Sequence, residues 1–372
     1  MEFKIQRDTF LDGIQKTLGI VEKKTTMPIL NNILIKAEDN KIKIVATDKE
    51  IVLIADYEAE ILSKGDITLS ARKIYEMIRE IQGADIHFHV NEHHWVTITC
   101  QKVIYKVPGL PADDFPSVFD DSDEVELFKV QGKILKELIY KTSFAMSADE
   151  MRKNLNGVLL EARKEGESNK VRMVATDGHR LAMVDVEMEG TFLELEKGII
   201  IPRKGLSEIR KLVEAQSGDI LFGVRRGMCI LKTDGMVLKV SLIDADYPDY
   251  RRVMPAEKGV MVSFDRDTVL HALRRMNVIS SERYSGVIMT LMEDKLVLNS
   301  TNPDVGEAKD EIDISYHEQE MTVGYNVKYL LDAIEVIDEE RVILEIGQGM
   351  KPGIVKPAGN DHYQCIIMPL KI

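Results

Sequence analysis

Asp177 and His179 lie two positions apart and, together with a serine elsewhere in the chain, could hydrolyse a substrate. An α/β-hydrolase exposes its nucleophile on a Gly-x-Ser-x-Gly turn, and the sequence contains no such motif. The Thr-Asp pair at 176–177 also recurs at 47–48, where no histidine follows within two residues. The repeated pair favours a turn-forming role over catalysis, and we predict that the chain has no catalytic residue.

Three glycines at 347, 349 and 353 resemble a phosphate-binding loop. They follow a predicted strand over 342–346, but no helix is predicted after them, whereas a dinucleotide-binding loop opens a helix. The sequence also lacks the Gly-x-x-x-x-Gly-Lys-Ser/Thr motif that binds nucleoside triphosphates. We therefore predict a flexible hairpin at these glycines and no bound cofactor.

The aspartates at 244, 246 and 249 imitate a metal-binding cluster, and His93 and His94 offer two adjacent imidazoles. The aspartates lie in an acidic, proline-bearing stretch that is typical of an inter-domain connector. The histidines lie in a polar turn before a strand and have no partner ligand at a useful spacing. The chain has three widely spaced cysteines in apolar, strand-like surroundings, which we predict to be buried and reduced: Cys100, Cys229 and Cys365. We predict no metal site.

The elements that must position these residues are repeated along the chain. The run Val-Ala-Thr-Asp at 45–48 returns at 174–177, and a weaker echo, Leu-Asn-Ser-Thr-Asn, follows at 298–302. The copies are separated by about a third of the chain, and a period of this length corresponds to a whole domain rather than to a solenoid unit. A second set of runs recurs at the same interval and opens a helix-like stretch each time: 70–73, 201–204 and 325–328. We predict three domains, over residues 1–122, 123–254 and 255–372.

Each third contains two similar halves, in which a short strand and an amphipathic helix are followed by several strands. Apolar residues at helical spacing predict helices over 8–24, 72–82, 131–146, 203–216, 265–279 and 326–337. Ser70 is the expected N-cap of the second helix. Alternating apolar residues predict strands such as 86–90 and 95–98. The pattern indicates an α+β fold with six strand–helix–strands units.

Charge is unevenly distributed. The chain carries a net charge of −13, which argues against a simple basic nucleic-acid-binding protein. The predicted helices nevertheless carry a net positive charge, so the rest of the chain is strongly acidic. One surface could therefore meet a polyanion while the others repel it; alternatively, helix surfaces simply favour lysine and arginine. No apolar run is long enough to span a membrane and the N-terminus lacks the apolar core of a secretory signal, so we predict a cytoplasmic protein without membrane contact.

Several longer runs carry a family resemblance. The two most distinctive are Ala-Thr-Asp-Gly-His-Arg-Leu-Ala at 175–182 and Tyr-Pro-Asp-Tyr-Arg-Arg-Val at 247–253. Further matching runs lie at 27–32, 110–116, 155–159 and 368–370. On these runs the chain resembles the bacterial DNA polymerase III beta subunits, the sliding clamps, over essentially its full length. Lys371 and Ile372 depart from the Arg-Leu that usually ends the family's chains.

The resemblance implies the DNA clamp fold, in which two protomers form a head-to-tail homodimer and close into a ring. Outer antiparallel sheets then form the wall and inner helices surround double-stranded DNA without sequence specificity. Such a clamp is a processivity factor and catalyses no reaction. The implied partners are the DNA polymerase III catalytic subunit, the clamp loader complex, and other polymerases, repair and ligation proteins that carry clamp-binding peptides.

The resemblance also implies three sets of functional residues. The partner-peptide groove comprises Leu155, Thr176, Gly178, His179, Arg180, Leu181, Pro248, Arg252, Val253, Tyr284, Asn326, Tyr329, Met350, Ile367, Met368, Pro369 and Leu370. The DNA-facing residues are Lys24, Arg72, Arg152, Lys153, Arg203 and Lys204. The dimer interface contains Lys73, Tyr105, Val107, Val278, Ile279, Asp304 and Asp310, with Lys73 facing one of the two aspartates. For Leu155, Val253 and Ile367, a simple core position is the alternative.

Two other classes of protein remain open at this point: an enzyme, and a triplicated scaffold that binds no nucleic acid. A clamp slides off free DNA ends, whereas an ordinary binder or a scaffold shows no difference between circular and linear DNA.

Overall fold

The computed structural model describes residues 1–21, 27–118, 125–165, 168–188, 193–215, 218–255, 257–347 and 349–371. Its contacts divide the chain into two compact units. The first unit contains residues 1–132 and 207–242, and the second unit contains residues 133–206 and 243–372.

The strands of the described residues are four to nine residues long. In chain order they are β1 Glu2–Gln6, β2 Asn32–Glu38, β3 Lys41–Thr47, β4 Ile51–Glu58, β5 Glu60–Ser63, β6 Gly65–Ser70, β7 Asp85–Val90, β8 Trp95–Cys100, β9 Val103–Pro108, β10 Phe128–Gln131, β11 Gly157–Glu165, β12 Ser168–Thr176, β13 Arg180–Met188, β14 Leu195–Pro202, β15 Asp219–Arg225, β16 Met228–Thr233, β17 Met236–Ser241, β18 Val260–Asp265, β19 Gly286–Met292, β20 Lys295–Asn302, β21 Gly306–Asp313, β22 Met321–Asn326, β23 Arg341–Ile346, β24 Gly353–Pro357 and β25 Tyr363–Ile367.

Each α-helix of the described residues begins directly after a strand. The helices are α1 Arg7–Thr17, α2 Ala71–Glu80, α3 Gly132–Thr142, α4 Arg203–Glu214, α5 Arg266–Asn277 and α6 Val327–Glu335. Short 3-10 turns lie at Pro28–Asn31, Ala112–Asp114, Ser143–Ala145, Lys153–Leu155 and Tyr250–Val253. Within the described part of the chain, no helix is both long and apolar enough to cross a membrane.

The first unit contains two antiparallel sheets. One has five strands in the order β5-β1-β7-β8-β9, and the other has eight in the order β10-β15-β16-β17-β4-β3-β2-β6. Phe3, Phe10 and Phe88 form an aromatic cluster beneath α1, with the rings of Phe3 and Phe88 stacked at 4.6 Å. All three side chains are fully buried, so this cluster fixes the helix on its sheet.

The second unit also contains two antiparallel sheets. An eight-stranded sheet has the order β14-β11-β12-β13-β25-β24-β23-β18, and a four-stranded sheet has the order β21-β20-β19-β22. Helices α5 and α6 contact each other, and each buries an apolar stripe that includes Leu273 and Leu330. The two sheets therefore share one helical layer within this unit.

The six strand–helix units and the α+β class predicted from the sequence are confirmed. The helix ends are less accurate. The helix predicted over 8–24 ends at Thr17, and residues 22–24 lie outside the described part of the chain. Ser70 occupies the N-cap position of α2, but its side chain makes no capping hydrogen bond. Asp265 and Asn326 do cap α5 and α6, by accepting from backbone amides of the first turn. The three domain boundaries stay a prediction.

Two smaller predictions are also confirmed. The three cysteines are buried and free. The glycines at 347–353 lie in a hairpin between the paired strands β23 and β24, and Gly349 adopts a positive φ of 71°. Among the described residues, no group of three histidine, cysteine, aspartate or glutamate side chains is arranged to hold a metal ion.

Candidate functional site

A tight turn between β12 and β13 is built by the repeated Thr-Asp pair. The Thr176 hydroxyl accepts from the amide of Gly178 at 3.1 Å and donates to the carbonyl of Arg180 at 2.6 Å. Asp177 Oδ1 accepts from the amides of His179 and Arg180 at 2.9 and 3.0 Å. The two side chains thereby satisfy the turn's backbone donors, as short polar side chains commonly do in turns.

The first unit contains the same turn between β3 and β4. The Thr47 hydroxyl accepts from the amide of Lys49 at 2.9 Å, and Asp48 Oδ1 accepts from the next two amides at 2.9 and 2.6 Å. Lys49 and Gly178 occupy equivalent positions and adopt φ values of +80° and +91°. The turn-forming role predicted for the Thr-Asp pair is therefore confirmed.

Arg180 connects the second-unit turn to its surroundings. Its guanidinium donates to Asp177 Oδ2 at 3.1 Å, to Asp332 Oδ2 of α6 at 2.5 Å and to the carbonyl of Phe144 at 2.7 Å. It also lies over the rings of Tyr329 and Phe144, 4.4 and 5.2 Å from the centroids. Although burial opposes the charge, the bond to Asp332 raises the pKa of Arg180. Arg180 therefore orders this surface from beneath.

The last described residues run between the two sheets of the second unit. The amide of Met368 donates to the carbonyl of His179 at 3.0 Å, and the amide of Leu370 donates to the carbonyl of Gly324 at 2.8 Å. The backbone is thus fixed on both sides, whereas Met368 and Leu370 stay 42% and 40% exposed. An apolar terminal segment that is ordered but uncovered offers a ready surface for an apolar ligand.

A linker crosses the same eight-stranded sheet. Tyr247 and Met254 pack against a buried cluster that includes Leu181 and Ile366. Leu181 lies on the strand that follows the turn, and Ile366 lies on the strand that precedes the terminal segment. Between them, the 3-10 turn Tyr250–Val253 presents exposed side chains. We call the surface formed by the turn 176–180, the linker 247–254 and the terminal segment 368–370 the groove.

The structure divides the predicted groove residues into two sets. Leu155, Thr176, Leu181 and Ile367 are buried and offer almost no side-chain surface, so the core alternative is correct for Leu155 and Ile367 but not for Val253, which is exposed. The exposed or half-exposed members are Gly178, His179, Arg180, Pro248, Arg252, Val253, Tyr284, Asn326, Tyr329, Met350, Met368, Pro369 and Leu370. Among them, the residues of the turn, the linker and the terminal segment supply the surface of the groove, and the buried residues belong to the core.

Arg152 and Arg203, both predicted to face DNA, make hydrogen bonds within the protomer. The Arg152 guanidinium donates to the carbonyl of Asp177 at 2.7 Å and lies against Gly178, so it belongs to the groove turn. The Arg203 guanidinium is half-buried and donates to the carbonyls of Met146 and Ser147 at 2.8 and 2.9 Å. Arg203 therefore holds the 146–156 loop, and its predicted contact with DNA stays a prediction.

The other predicted DNA-facing residues have mixed surroundings. Arg72 and Lys153 are exposed, whereas Lys204 is half-buried and already has a partner within the molecule. Lys24 lies outside the described residues. Phe144 and Asp332, which the sequence analysis missed, contact Arg180 from distant elements, and no local spacing signals either contact.

The predicted apolar interface residues lie on an edge strand and directly after a helix. Tyr105 and Val107 are half-buried on β9, the edge of the five-stranded sheet. Val278 and Ile279 follow α5, and Val278 is 80% exposed. These apolar side chains are available for contact with another chain.

Within the protomer, Lys73 and Asp310, which were predicted to form an ion pair between protomers, each have another partner. Lys73 pairs with Glu76 on the same helix at 2.9 Å. Asp310 accepts from Arg275 at 2.8 Å, whereas Asp304 is exposed. The prediction that Lys73 faces Asp310 would therefore require Asp310 to exchange or share its existing partner.

An ionic network lies beneath the linker. Arg172 donates to both carboxylate oxygens of Asp185 at 2.6 and 2.7 Å and to the Tyr250 hydroxyl at 3.2 Å. That hydroxyl donates to Glu161 at 2.6 Å, and Glu161 also accepts from Arg251 at 3.1 Å. Burial opposes ionisation of Asp185, but the bonds from Arg172 hold its pKa below the usual value. Burial also raises the pKa of the Tyr250 hydroxyl, which stays protonated.

We predict that Arg172→Ala destabilises the second unit by about 3 kcal/mol, because it removes the bidentate partner of the largely buried Asp185 carboxylate and leaves it, among the described residues, only Lys170, at 3.3 Å. Urea unfolding measures the loss. Arg163→Ala is the matched control: Arg163 contacts Glu161 only at 3.4 Å and is half-exposed, so its removal should cost less than about 1 kcal/mol.

The same substitution should change the pH dependence. Because the pKa of Asp185 is lowered in the folded state, its stabilising effect is present above the ordinary value of 3.8 and is lost as pH falls through the lowered folded value. The stability difference between wild type and Arg172→Ala should therefore shrink in acid. A difference that is constant from neutral pH into acid would contradict this account.

The chain is similar to known proteins over its whole length. Models for the N-terminal, central and C-terminal domains of the DNA polymerase III beta subunit match residues 1–119, 129–249 and 251–371. The beta sliding clamp of Pseudomonas aeruginosa is 31% identical across 100% of both chains. The crystal structure of the DNA polymerase III subunit beta from that organism matches with a TM-score of 0.92, 31% identity and 100% coverage of both chains. The sliding clamp from Bartonella birtlesii bound to griselimycin matches with a TM-score of 0.94, 28% identity and 100% coverage of both.

Proposed function

The chain belongs to the DNA polymerase III beta subunit family, the bacterial sliding clamps, and from that membership we propose that two copies close into a ring around duplex DNA. Its function is that of a DNA sliding clamp. In this proposal the protein is a non-catalytic processivity factor of replication. The clamp keeps its partners at the DNA and leaves the chemistry to them.

Ring closure would use the two sheet edges with apolar side chains. Strand β9 ends the five-stranded sheet of the first unit, and β21 ends the four-stranded sheet of the second unit. A head-to-tail dimer that joins β9 of one protomer to β21 of its partner would leave neither edge unpaired. Val278 directly follows α5, and α5 contacts the edge strand β21. A clamp loader would open one such seam to admit DNA.

In this proposal the direct contacts between protein and DNA are weak. The net charge of −13 limits general attraction to phosphates. Helix α3 nevertheless carries Lys133, Lys136 and Lys141 against a single glutamate. Loose contacts between such helices and the backbone allow movement along DNA, since strong phosphate pairing would hold the protein in place.

The groove is the proposed site for peptides of the polymerase and other partners. The observation that carries this proposal is the terminal segment, whose backbone is fixed by His179 and Gly324 while the Met368 and Leu370 side chains remain uncovered. Aliphatic anchors on an ordered support, with the polar groups of His179 and Arg252 beside them, suit a short peptide with apolar side chains. We also propose that griselimycin, the ligand of the Bartonella clamp, binds this chain in the groove.

Particle shape tests the ring directly. We expect negative-stain images of the purified protein to contain toroids with a central opening, and light scattering to give twice the protomer mass of 42.1 kDa. Val278→Asp should yield folded monomers, because it introduces a charge into the apolar seam. Met151→Asp, at another highly exposed apolar residue, should leave the toroids intact. Solid globules without an opening would contradict the proposal.

A further inference from the structure

We propose that Tyr250 is a positioning residue for the groove: its hydroxyl, held by Glu161 and Arg172, fixes the turn that presents Arg252 and Val253. The inference rests on the proposed peptide-binding function of the groove. In this inference, one buried hydroxyl fixes the orientation of the linker relative to the Thr-Asp turn and the terminal segment.

Within the turn, two side chains reach the sheet: Tyr250 and the half-exposed Arg251, which pairs with Glu161 at 3.1 Å. Tyr250–Val253 is a single 3-10 turn, whose flanking backbone bonds are Arg252 N to Asp249 O at 3.2 Å and Met254 N to Arg251 O at 3.3 Å. Short 3-10 turns have weaker hydrogen-bond geometry than α-helices. Tyr250 is the buried side chain of the turn, whereas Arg252 is 84% exposed. Tyr250 is therefore the buried anchor of the turn.

The groups that hold the hydroxyl belong to a rigid support. Glu161, Arg172 and Asp185 are direct cross-strand neighbours on β11, β12 and β13. The Tyr250 hydroxyl donates to Glu161 at 2.6 Å and accepts from Arg172 at 3.2 Å, while Arg172 is held by both oxygens of Asp185. Hydrogen bonds to charged groups are strong and directional, so the phenol has one favoured position on the sheet.

The same support carries the opposite wall of the groove. The Tyr250 ring packs in a buried cluster with Leu181 of β13 and Ile366 of β25. Strand β13 begins at Arg180, the end of the Thr-Asp turn, and β25 leads into Met368. The linker on one side of the groove, and the turn and terminal segment on the other, are therefore attached to the same sheet. The Tyr250 hydroxyl fixes the position of the linker on that sheet.

Tyr250→Phe is the test, because it removes the hydroxyl and keeps the ring in its apolar cluster. We expect hydrogen exchange to speed up at the amides of Arg252 and Met254, which the turn now protects. We expect griselimycin binding, measured by calorimetry, to weaken about tenfold, the equivalent of about 1.4 kcal/mol. This loss of affinity should be larger than the loss that would result if part of the Tyr250→Phe protein were unfolded at the assay temperature.

Tyr363→Phe is the matched control. Its hydroxyl is also buried in the second unit and donates to the carbonyl of Ala333 at 3.0 Å, and among the described residues it does not hydrogen-bond to the linker 247–254. It can lower stability, yet it should leave both the exchange of the turn and the affinity unchanged. A general loss of stability would move both variants together, whereas positioning would affect Tyr250→Phe alone.

The outcomes separate the inference from the proposed function. If wild type binds griselimycin and Tyr250→Phe binds it equally well, the inference is overturned. Equal weakening by both Tyr→Phe variants also overturns it. If wild type binds neither griselimycin nor the polymerase, the proposed groove function fails, and the inference fails with it. Faster exchange at Arg252 and Met254 would then remain as a structural result only.

Discussion

On a nicked circular plasmid, we expect the loaded protein to survive a wash in high salt, and linearisation of the plasmid should release at least nine-tenths of it. The reason is topological. Contacts between lysine or arginine and phosphate weaken steeply as salt rises, and a protein with a net charge of −13 has little general attraction to replace them. A closed ring needs no such contacts to stay on a circle, but it can leave at a free end.

The control uses the same linear plasmid with a bulky protein bound at each end. The blocked DNA has the same length and sequence as the free linear DNA, so any difference must come from access to the ends. We expect retention on blocked DNA to equal that on the circle. Equal retention on all three substrates, or equal loss in salt, would contradict encirclement and favour an ordinary binder.

The repeated architecture could be predicted from the sequence because it depends on local periodicity. Each of the six strand–helix units has its own apolar stripe, and the structure contains all six. The Thr-Asp turn was also predictable, since its hydrogen bonds connect residues within four positions of each other. Helix ends were less so: the first helix stops at Thr17 although apolar residues continue to Ile20 and Val21, which are buried in the turn that follows.

The roles of individual arginines could not be predicted in this way. Arg152, Arg180 and Arg203 all contact backbone carbonyls, but those carbonyls belong to residues between 25 and 57 positions away. A guanidinium has five donors and can equally bind a phosphate or a loop, so its sequence position does not decide between them. The fold decides, by placing Asp177 beside Arg152 and Met146 beside Arg203.

Exposure within the groove was another property that the sequence could not supply. Leu181 and Ile367 occupy inward positions of β13 and β25 and are buried, whereas Met368 lies one residue beyond β25 and is exposed. Strand alternation reverses the side-chain direction at every step, but the point where the strand ends determines which apolar residue faces the solvent. The family motif identifies the segment, and only the structure distinguishes its supporting residues from its contact residues.

Loss of the terminal segment should abolish partner binding without opening the ring. Met368 and Leu370 are each about two-fifths exposed, so a peptide that covers them gains only part of the value of full burial, about 1 kcal/mol each. Met368→Ala with Leu370→Ala should therefore weaken binding of the polymerase III catalytic subunit by about 2 kcal/mol, or about thirtyfold. Surface plasmon resonance on immobilised clamp measures this change.

Deletion of residues 368–372 should have a larger effect than the double substitution, at least a hundredfold, because it also removes the backbone that His179 and Gly324 hold in place. Deletion of residues 371–372 alone is the control and should bind within about threefold of wild type, since it leaves both backbone bonds and both apolar side chains. All three variants should remain dimeric, because Tyr105 and Val278, the residues proposed for the interface, lie on other elements. If the long deletion bound the polymerase as tightly as wild type, the terminal segment could not be the peptide site, and the exposure of its side chains would need another partner.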